Sequence, residues 1–429
     1  MVIGINGYET AVPRFGYNSE TGLPNRVGSG EFAYQLLVNM AKVDKKNDYS
    51  VFLPVNPAAD MPKETGNFRY VVFKSKKLWT LLGLSKKLLN YKGKLDVFFS
   101  PTHYLPVYTP CPSVVAILDV SYIHFPKLFK KKDLYQLKLW GGQSIKKADK
   151  IITISRSSRN DIIKAYKVSE DKVEVIYPGI KKIQDLRFKI YDMEELKQKF
   201  GIKGPYILFV GTLQPRKNIV RLVEAFSGIV NRQPRFSDDA RQAQTKSSKR
   251  YRSLNESLSS GLPQKDAAAF NSPQSGQPHD SLTLVIVGKK GWQYEEILEA
   301  PKKYGVEDRV KFLDSVADED LPSLYKNALC FCLPSLYEGF GLPVLEAMQY
   351  GCPVLTSSVS SLPEAGGDAA LYCNPEDTKD ITKNLKLITQ NSKLREELIK
   401  KGYEQVKKFS WEKSARKTLD VLQEVSIKK

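Results

Sequence analysis

Short apolar runs alternate with polar loops and helical patterns along most of the chain. In its first part these runs are Val2–Asn6, Ser50–Pro54, Tyr70–Phe73, Leu95–Ser100, Ser113–Leu118, Lys150–Ile154 and Lys172–Ile176. After the first run, apolar residues recur at helical spacing (Phe32, Leu36, Leu37 and Met40), which indicates an amphipathic helix. Strands that alternate with helices predict a mostly parallel sheet with helices on both faces.

A second set of the same kind begins near residue 204. Its apolar runs are Tyr206–Val210, Leu282–Val287, Val310–Leu313, Leu329–Leu333 and Val354–Thr356. Tyr177-Pro178-Gly179 and a charged stretch at 181–203 separate the two sets. We therefore predict a first α/β domain at 1–180, a second at 204–408, and an amphipathic helix at 409–429 that returns to the first domain.

One segment, 232–281, breaks this alternation. It is rich in Ser, Gln, Arg, Asp, Pro and Gly and has almost no apolar periodicity. Such a composition cannot bury enough surface to offset the entropy of ordering. We predict a disordered insertion in the second domain, where a loop of a few residues would connect the neighbouring elements.

The composition is that of a globular protein. Hydrophobic residues make up 41% and charged residues 26%, which excludes a fibrous or wholly disordered chain. No run is apolar and long enough to span a membrane, the first residues do not resemble a signal peptide, and the five cysteines include no CxxC pair. These features predict a cytoplasmic protein.

The net charge of +19 suggests an anionic partner such as nucleic acid, a membrane surface or a phosphorylated substrate. Residues 1–180 contain 27 Lys and Arg against 15 Asp and Glu, a net of +12. The excess is therefore concentrated in the predicted first domain.

The motif that carries most information is LPSLYEGFGLPVLEAMQYG at 333–351. Gly339 and Gly341 allow backbone N–H groups to approach a ligand just before a helix N-terminus, an arrangement that favours a phosphate. Glu346, placed by the pattern in the first turn of that helix, suits ribose hydroxyls better than a phosphate. Glu338, at the end of the preceding strand, is a candidate for another hydroxyl.

These residues resemble the signature of glycosyltransferase family 4, in which two Glu residues flank a GFGLP-like loop. The resemblance implies that Glu338 contacts the donor sugar and that Glu346 binds the nucleotide ribose. Gly339, Phe340, Gly341 and Leu342 would complete this part of the donor site. The alternative is a helix-capping loop with two solvated carboxylates.

A second match is FVGTLQPRKN at 209–218. It resembles the family's strand, glycine turn (Gly211 and Thr212) and Arg-Lys pair, which bind the donor diphosphate. Charge builds on the β-phosphate as the glycosidic bond breaks, and two fixed cations, Arg216 and Lys217, would stabilise it without a metal. The alternative is an exposed basic pair at a helix start, which the helix dipole disfavours.

Weaker matches extend over most of the remaining chain. LVIVGKKGW at 284–292 resembles a family motif with a glycine turn, Gly288, near the nucleotide. Gly28-Ser29-Gly30 resembles the first glycine loop, which lies near acceptor and phosphates. A dehydrogenase fingerprint is excluded there because position 33 is Ala instead of the third glycine. Glu364 corresponds to a residue that stabilises loops.

The first domain departs from the family at one position. Where a His-Asp pair is expected, this chain has Leu118 and keeps Asp119. Asp119 remains a catalytic candidate, and His103 and His124 are candidates for the cleft. For each His a hydrogen-bonded, partly buried imidazole is the alternative, and this alternative is favoured.

Two basic stretches, 74–94 and 127–140, interleave lysines with apolar residues. A basic amphipathic helix can lie in an anionic membrane interface, but the same apolar stripe also serves a helix that covers a sheet. We expect core packing, with the lysine face free to touch lipid headgroups.

Together, the resemblance implies a GT-B fold, with two Rossmann-like domains facing across a cleft. It implies a retaining transferase that moves a hexose, of mannose or glucose type, from GDP-mannose or a UDP-sugar to a glycan or lipid-linked hydroxyl. We expect no metal, no other cofactor and no nucleic-acid partner. We do expect peripheral contact with the inner face of the plasma membrane. The alternatives are an inactive nucleotide-sugar-binding protein, a nucleic-acid-binding protein, and a phosphorylase or epimerase.

Overall fold

Two separate parallel sheets, of seven and six strands, form the framework of the described part of the chain. The computed structural model describes residues 1–13, 16–17, 21–26, 28–75, 78–181, 190–230, 281–314 and 316–427. The predicted insertion at 232–281 lies outside the described residues except for Ser281.

The first sheet has the order β3-β2-β1-β4-β5-β6-β7. Its strands are β1 (Val2–Asn6), β2 (Asp48–Leu53), β3 (Phe68–Val72), β4 (Val97–Ser100), β5 (Ser113–Ala116), β6 (Lys150–Thr153) and β7 (Val173–Val175). All neighbours pair in parallel, with Ile3 opposite Tyr49 on one side and Val97 on the other. The central strands are apolar along nearly their whole length because helices cover both faces.

The second sheet has the order β10-β9-β8-β11-β12-β13 and is again parallel throughout. Its strands are β8 (Tyr206–Val210), β9 (Thr283–Val287), β10 (Val310–Leu313), β11 (Cys330–Leu333), β12 (Val354–Ser357) and β13 (Ala370–Cys373). The sequence pattern predicted all but β13. That edge strand has two half-buried central residues and therefore lacks a clear apolar run.

Helices connect the strands of both sheets. In the first half they are Tyr8–Ala11, Ser29–Val43, Leu84–Leu88, Ser121–His124, Lys131–Gln136, Gly142–Lys147 and Arg156–Tyr166. After Met193–Phe200, the second half has Ile219–Val230, Glu295–Lys303, Leu321–Asn327, Leu342–Gln349, Leu362–Gly366, Thr378–Gln390 and Ser392–Val406. The chain continues into the terminal helix, Trp411–Ile427.

The strand order places the loops that matter for function. In the second sheet, β8 lies between β9 and β11, so the connections leave β8 in opposite directions on its two sides. Ligands of open parallel sheets bind outside the carboxyl ends of the strands at such a switch point. The loops after β8 and β11, which contain Lys217 and Glu338, therefore meet where a ligand is expected.

The terminal helix packs on the first sheet although it follows the second one in sequence. Trp411 meets the ring of Phe32 edge-on at 5.7 Å, and Ser414 Oγ donates to the carbonyl of Tyr177 at 2.6 Å. Lys150 Nζ lies 3.2 Å from a carboxylate oxygen of Glu424. The chain thus passes between the two halves twice, before Met193 and again near Phe409.

The basic stretch at 74–94 packs into the core on one side, as expected, and exposes apolar side chains on the other. Trp79, Leu84 and Leu88 are buried in a core that also contains Phe98 of the first sheet. Leu82 and Leu89 point outwards and are 53% and 58% exposed. The segment is only locally helical, since a π-helical turn precedes the short helix Leu84–Leu88.

Candidate active site

The carboxylate of Glu338 is held by two cations from the neighbouring loop. Lys217 Nζ donates to Glu338 Oε1 at 2.7 Å, and Arg216 Nη1 lies 3.3 Å from Oε2. Arg216 Nη1 also donates to the carbonyl of Tyr337 at 2.5 Å. The Arg-Lys pair and the first Glu of the signature, separated by more than 100 residues, thus form one charged cluster.

Burial sets the electrostatics of this cluster. Lys217 is 8% exposed, and its desolvation lowers the pKa of the ammonium against the opposing attraction of Glu338. Burial also acts to raise the pKa of Glu338, but Lys217 and Arg216 outweigh it, so that this pKa is lowered. Glu338 is therefore ionised at neutral pH and forms a buried ion pair with Lys217.

Neighbouring serines fix the loop that carries Glu338. Ser335 Oγ donates to its carboxylate at 2.6 Å. The backbone N–H of Glu338 donates to Ser360 Oγ at 2.9 Å, and the hydroxyl of Ser361 donates to its carbonyl at 2.8 Å. The side chain is therefore preorganised instead of being free to swing towards a substrate.

Two glycine turns run side by side at the carboxyl ends of β8 and β9. A Cβ atom added to Gly288 would lie 1.9 Å from the carbonyl oxygen of Gly211, so only glycine fits there. Leu213 N donates to the carbonyl of Lys289 at 2.9 Å and extends the pairing past both turns. Gly211, Thr212 and Gly288 thus line the same edge of the sheet as Lys217.

The GFG loop leads into the helix Leu342–Gln349. Gly341 has a φ of +106° at the N-cap, which favours glycine. Leu342 is the first residue of the helix. The side chain of Phe340 packs between Tyr177 and Phe409, with ring centroids 5.5 and 5.4 Å away, and is buried in the core.

Glu346 lies just beyond the first helical turn, in which the sequence pattern placed it. The helix begins at Leu342, so Glu346 is its fifth residue and stands outside the first turn. Tyr325 Oη donates to its carboxylate at 3.1 Å. Burial raises the pKa of Glu346, although Tyr325 and Lys181 act in the opposite direction.

Asp119 of the first half reaches the GFG loop of the second. A Cβ atom added to Gly339 would lie 3.0 Å from Asp119 Oδ2. The other oxygen, Oδ1, accepts a hydrogen bond from the N–H of Ser121 at 2.8 Å. Leu118, which stands at the position of the family's histidine, is buried in the core and offers no titratable group.

The two candidate histidines have different surroundings. His124 Nε2 lies 3.1 Å from Asp161 Oδ1, and its ring packs against Tyr337 at 5.4 Å. Tyr337 in turn donates its hydroxyl to Asp161 at 2.8 Å. His124 thus faces the carboxylate of Asp161 and lies next to the residue that precedes Glu338, while His103 follows β4 beside Tyr104.

Gly28-Ser29-Gly30 forms the start of the helix Ser29–Val43. Gly28 has a φ of +56°, and Ser29 Oγ donates to a carboxylate oxygen of Glu9 at 2.5 Å. In the next position, Glu31 pairs with Lys181 at 3.1 Å. Lys181 also interacts electrostatically with Glu346, which links this glycine loop to the second half.

Glu364 is the functional residue whose role the sequence understated. Its carboxylate accepts hydrogen bonds from the backbone N–H groups of Arg156 and Ser157 at 2.8 and 2.9 Å. The hydroxyl of Tyr177 donates to it at 2.9 Å. Glu364 thereby joins the two halves directly. Glu364 lies in the short helix Leu362–Gly366, and the local sequence gave no signal for this bridge.

No cluster of three or more His, Cys, Asp or Glu side chains suited to a metal occurs among the residues that the structure describes. None of the helices within the described ranges is long and apolar enough to cross a membrane.

Two family models match the chain. Glycosyltransferase Family 4 matches residues 32–182, and Glycosyl transferases group 1 matches residues 269–405. The two matches contain every strand of the two sheets except β1 and β8, and they include Asp119, Glu338 and Glu346. The chain belongs to glycosyltransferase family 4.

Relatives of this family 4 glycosyltransferase include an O-antigen chain mannosyltransferase B from Escherichia coli, 28% identical over 78% of this chain and 75% of that protein. The O-antigen chain mannosyltransferase RfbU from Salmonella typhimurium is 24% identical over 81% and 78% of the two chains. The chain is therefore a hexosyltransferase, and the alternative of an inactive binding protein has no support.

The fold agrees with solved structures. Sucrose-phosphate synthase from Thermosynechococcus elongatus superposes with a TM-score of 0.65 at 17% identity, over 99% of this chain and 98% of that one. The predicted GT-B fold of this family 4 glycosyltransferase is confirmed.

Proposed function

We propose that this chain transfers a mannose-type hexose from a nucleotide-diphosphate sugar to a hydroxyl of a glycan or lipid-linked acceptor, with retention of configuration. The observation that carries the proposal is the Lys217–Glu338 pair at the switch point of the second sheet, with Asp119 of the first half beside the same loop. The mannosyltransferase relatives support the choice of sugar.

The cation pair has the capacity to bind a diphosphate. An ammonium has three N–H donors and a guanidinium has five. The bonds to Glu338 and to the carbonyl of Tyr337 use only part of this set. The remaining donors stabilise the charge that builds on the leaving phosphate, in a site where desolvation strengthens each interaction.

The carboxylates then have separate tasks. Glu338, fixed by Lys217 and Ser335, accepts hydrogen bonds from hydroxyls of the donor sugar. Glu346, near the ribose position, accepts hydrogen bonds from the nucleotide. The leaving diphosphate takes the proton of the acceptor hydroxyl on the same face of the sugar. This front-face course needs no base at the position of Leu118.

The acceptor side extends to a membrane surface in this proposal. Leu82, Leu89 and Val107 are exposed, and Val107 N donates to the carbonyl of Leu81, which places Val107 beside the segment that carries Leu82. Lys86 and Lys92 are exposed on the same segment. This basic apolar patch, defined by these five residues, suits the interface of an anionic membrane and would bring a lipid-linked acceptor to the cleft.

A panel of nucleotide sugars tests the function. GDP-mannose is expected to raise the Tm more than GDP alone or UDP-sugars, and product analysis with a lipid-linked acceptor is expected to give an α-linked mannoside. If only a UDP-sugar raised the Tm, the donor would be that UDP-sugar instead of GDP-mannose. No transfer and no donor hydrolysis with any sugar nucleotide would overturn the proposal.

A further inference from the structure

Two buried polar atoms lack a hydrogen-bond partner among the described residues, and they belong to adjacent loops. They are Oε1 of Gln214 and Nε1 of Trp292. Gln214 as a whole is 5% exposed. Buried polar groups in folded proteins are almost always paired, so each exception requires an explanation.

The backbone brings these two residues together. Leu213 and Lys290 form a parallel bridge beyond the ends of β8 and β9, and Gly291 N donates to the carbonyl of Leu213 at 3.0 Å. Gln214 directly follows the paired Leu213, and Trp292 directly follows Gly291. The acceptor atom of one and the donor atom of the other therefore stand on neighbouring loops at the carboxyl edge of the second sheet.

This position faces the cleft. The indole of Trp292 packs against Phe129 of the first half, with ring centroids 6.1 Å apart. The Arg216–Lys217 pair, which we assign to the donor diphosphate, begins two residues after Gln214. The ring of Trp292 thus lies between the two halves, and Gln214 stands in the same loop as the cations of the candidate site.

We infer that Gln214 and Trp292 together bind one hydroxyl of the carbohydrate in the cleft. The indole N–H donates to the hydroxyl oxygen, and the hydroxyl proton is donated to Gln214 Oε1. A hydroxyl is the group that satisfies a neighbouring donor and acceptor at once. This inference rests on the proposed function and adds specificity-determining residues to it.

A site built around a substrate hydroxyl discriminates strongly between the substrate and an analogue without that hydroxyl. An analogue that lacks the hydroxyl leaves both protein atoms unpaired, and such sites reject deoxy analogues by up to about 10⁴-fold. The hydroxyl belongs either to the transferred hexose or to the acceptor. Deoxy analogues of each substrate distinguish these sources.

The test uses Trp292→Phe, which removes the N–H and keeps a ring against Phe129, and Gln214→Leu, which removes the amide. Trp79→Phe is the matched control, because the indole of Trp79 donates to the carbonyl of Phe73 at 3.0 Å. Gln143→Leu, on an exposed helix position, controls for loss of an amide.

Without substrate, Trp292→Phe and Gln214→Leu are expected to have a Tm equal to or above that of the wild type, whereas Trp79→Phe lowers it. With substrate, both cleft variants lose at least tenfold in kcat/KM. They also cease to discriminate against one deoxy analogue, of the donor or of the acceptor.

A wild type that transfers sugar while both cleft variants keep kcat/KM within about twofold would overturn the inference. A Tm lowered as in Trp79→Phe would do so as well. If the wild type transfers no hexose, the proposed function fails instead. The pair is then judged by the Tm shifts that nucleotide sugars and an acceptor glycan each produce, and equal shifts in wild type and Trp292→Phe with both kinds of ligand would rule it out.

Discussion

Glu364, from the second half of the molecule, accepts a hydrogen bond at 2.8 Å from the backbone N–H of Arg156, at the start of a helix in the first half. The N–H of Ser157 and the hydroxyl of Tyr177 bind the same carboxylate. A negative charge at a helix N-terminus is favourable, and charge-assisted hydrogen bonds are the strong ones. One carboxylate therefore holds the two halves in register across the cleft.

We expect Glu364→Ala to lower the free energy of unfolding by about 2 kcal/mol and kcat/KM at least tenfold, because the halves lose three bonds between them. For Glu364→Gln, both the free energy of unfolding and kcat/KM should lie between the values for Glu364→Ala and those for the wild type. Urea denaturation and steady-state kinetics measure the two effects. Glu376→Ala, at an exposed position, is the control. Unchanged kcat/KM in Glu364→Ala would show that the bridge is dispensable for catalysis.

Lys217→Ala should lower both activity and stability. Loss of one charge-stabilising donor typically costs about 10²–10³ in kcat. Removal of one partner from a buried ion pair costs about 3–5 kcal/mol. Since the carboxylate left behind is Glu338, the double variant Lys217→Met/Glu338→Gln should regain most of the stability and none of the activity.

Circular dichroism melting and donor turnover separate these effects for Lys217. Lys383→Ala, exposed on the second half, is the control. If the double variant recovered activity together with stability, the cation would have only a structural role.

The pH dependence of stability should reveal the raised pKa of Glu346. Burial, together with Asp318 and Glu31, raises its pKa above 4.5, against the effects of Tyr325 and Lys181. The folded state then favours the protonated form. The stability that protonated Glu346 contributes to the folded state is fully present below pH 4.5. It is lost as the pH rises through the pKa of Glu346 in the folded state.

Compared with Glu346→Gln, the wild type should therefore lose stability as the pH increases from 4.5 towards neutrality. Denaturant midpoints at a series of pH values measure this difference, with Glu376→Gln as the control. Parallel curves for wild type and Glu346→Gln would contradict a raised pKa.

The basic apolar patch should bind vesicles of phosphatidylglycerol and phosphatidylcholine at low salt. Each lysine near an anionic surface contributes about 1 kcal/mol, so Lys86→Ala/Lys92→Ala should weaken binding roughly thirtyfold. Leu82→Ser/Leu89→Ser should weaken it by loss of apolar burial. Leu387→Ser, also exposed but on the second half, should have no effect. Equal binding to neutral vesicles would contradict the proposal.

The sequence predicted the strands because buried parallel strands are apolar along their length, as at Tyr206–Val210. It missed β13, whose Leu371 and Tyr372 are half-buried at the sheet edge. It also placed Glu346 in the first turn of its helix, whereas Glu346 is the fifth residue, because the left-handed conformation of Gly341 sets the helix start at Leu342.

The sequence pattern could not predict contacts between distant segments. Local motifs indicated Lys217 and Glu338 separately, but their pairing depends on β8 and β11 being neighbours. The bonds of Asp161 to Tyr337 and of Glu364 to Arg156 join residues that are more than 170 positions apart. Periodicity carries no information about such pairs.

The return of the terminal helix has a consequence for synthesis of the chain. Phe32 and Leu36, on the first long helix, share a core with Trp411 and Leu422. A ribosome completes the last strand of the first sheet, at Val175, more than 200 residues before it adds Trp411. Until then an apolar helix face stays open to water and to other nascent chains. The N-terminal half therefore completes its folding only after the C-terminal half has been made.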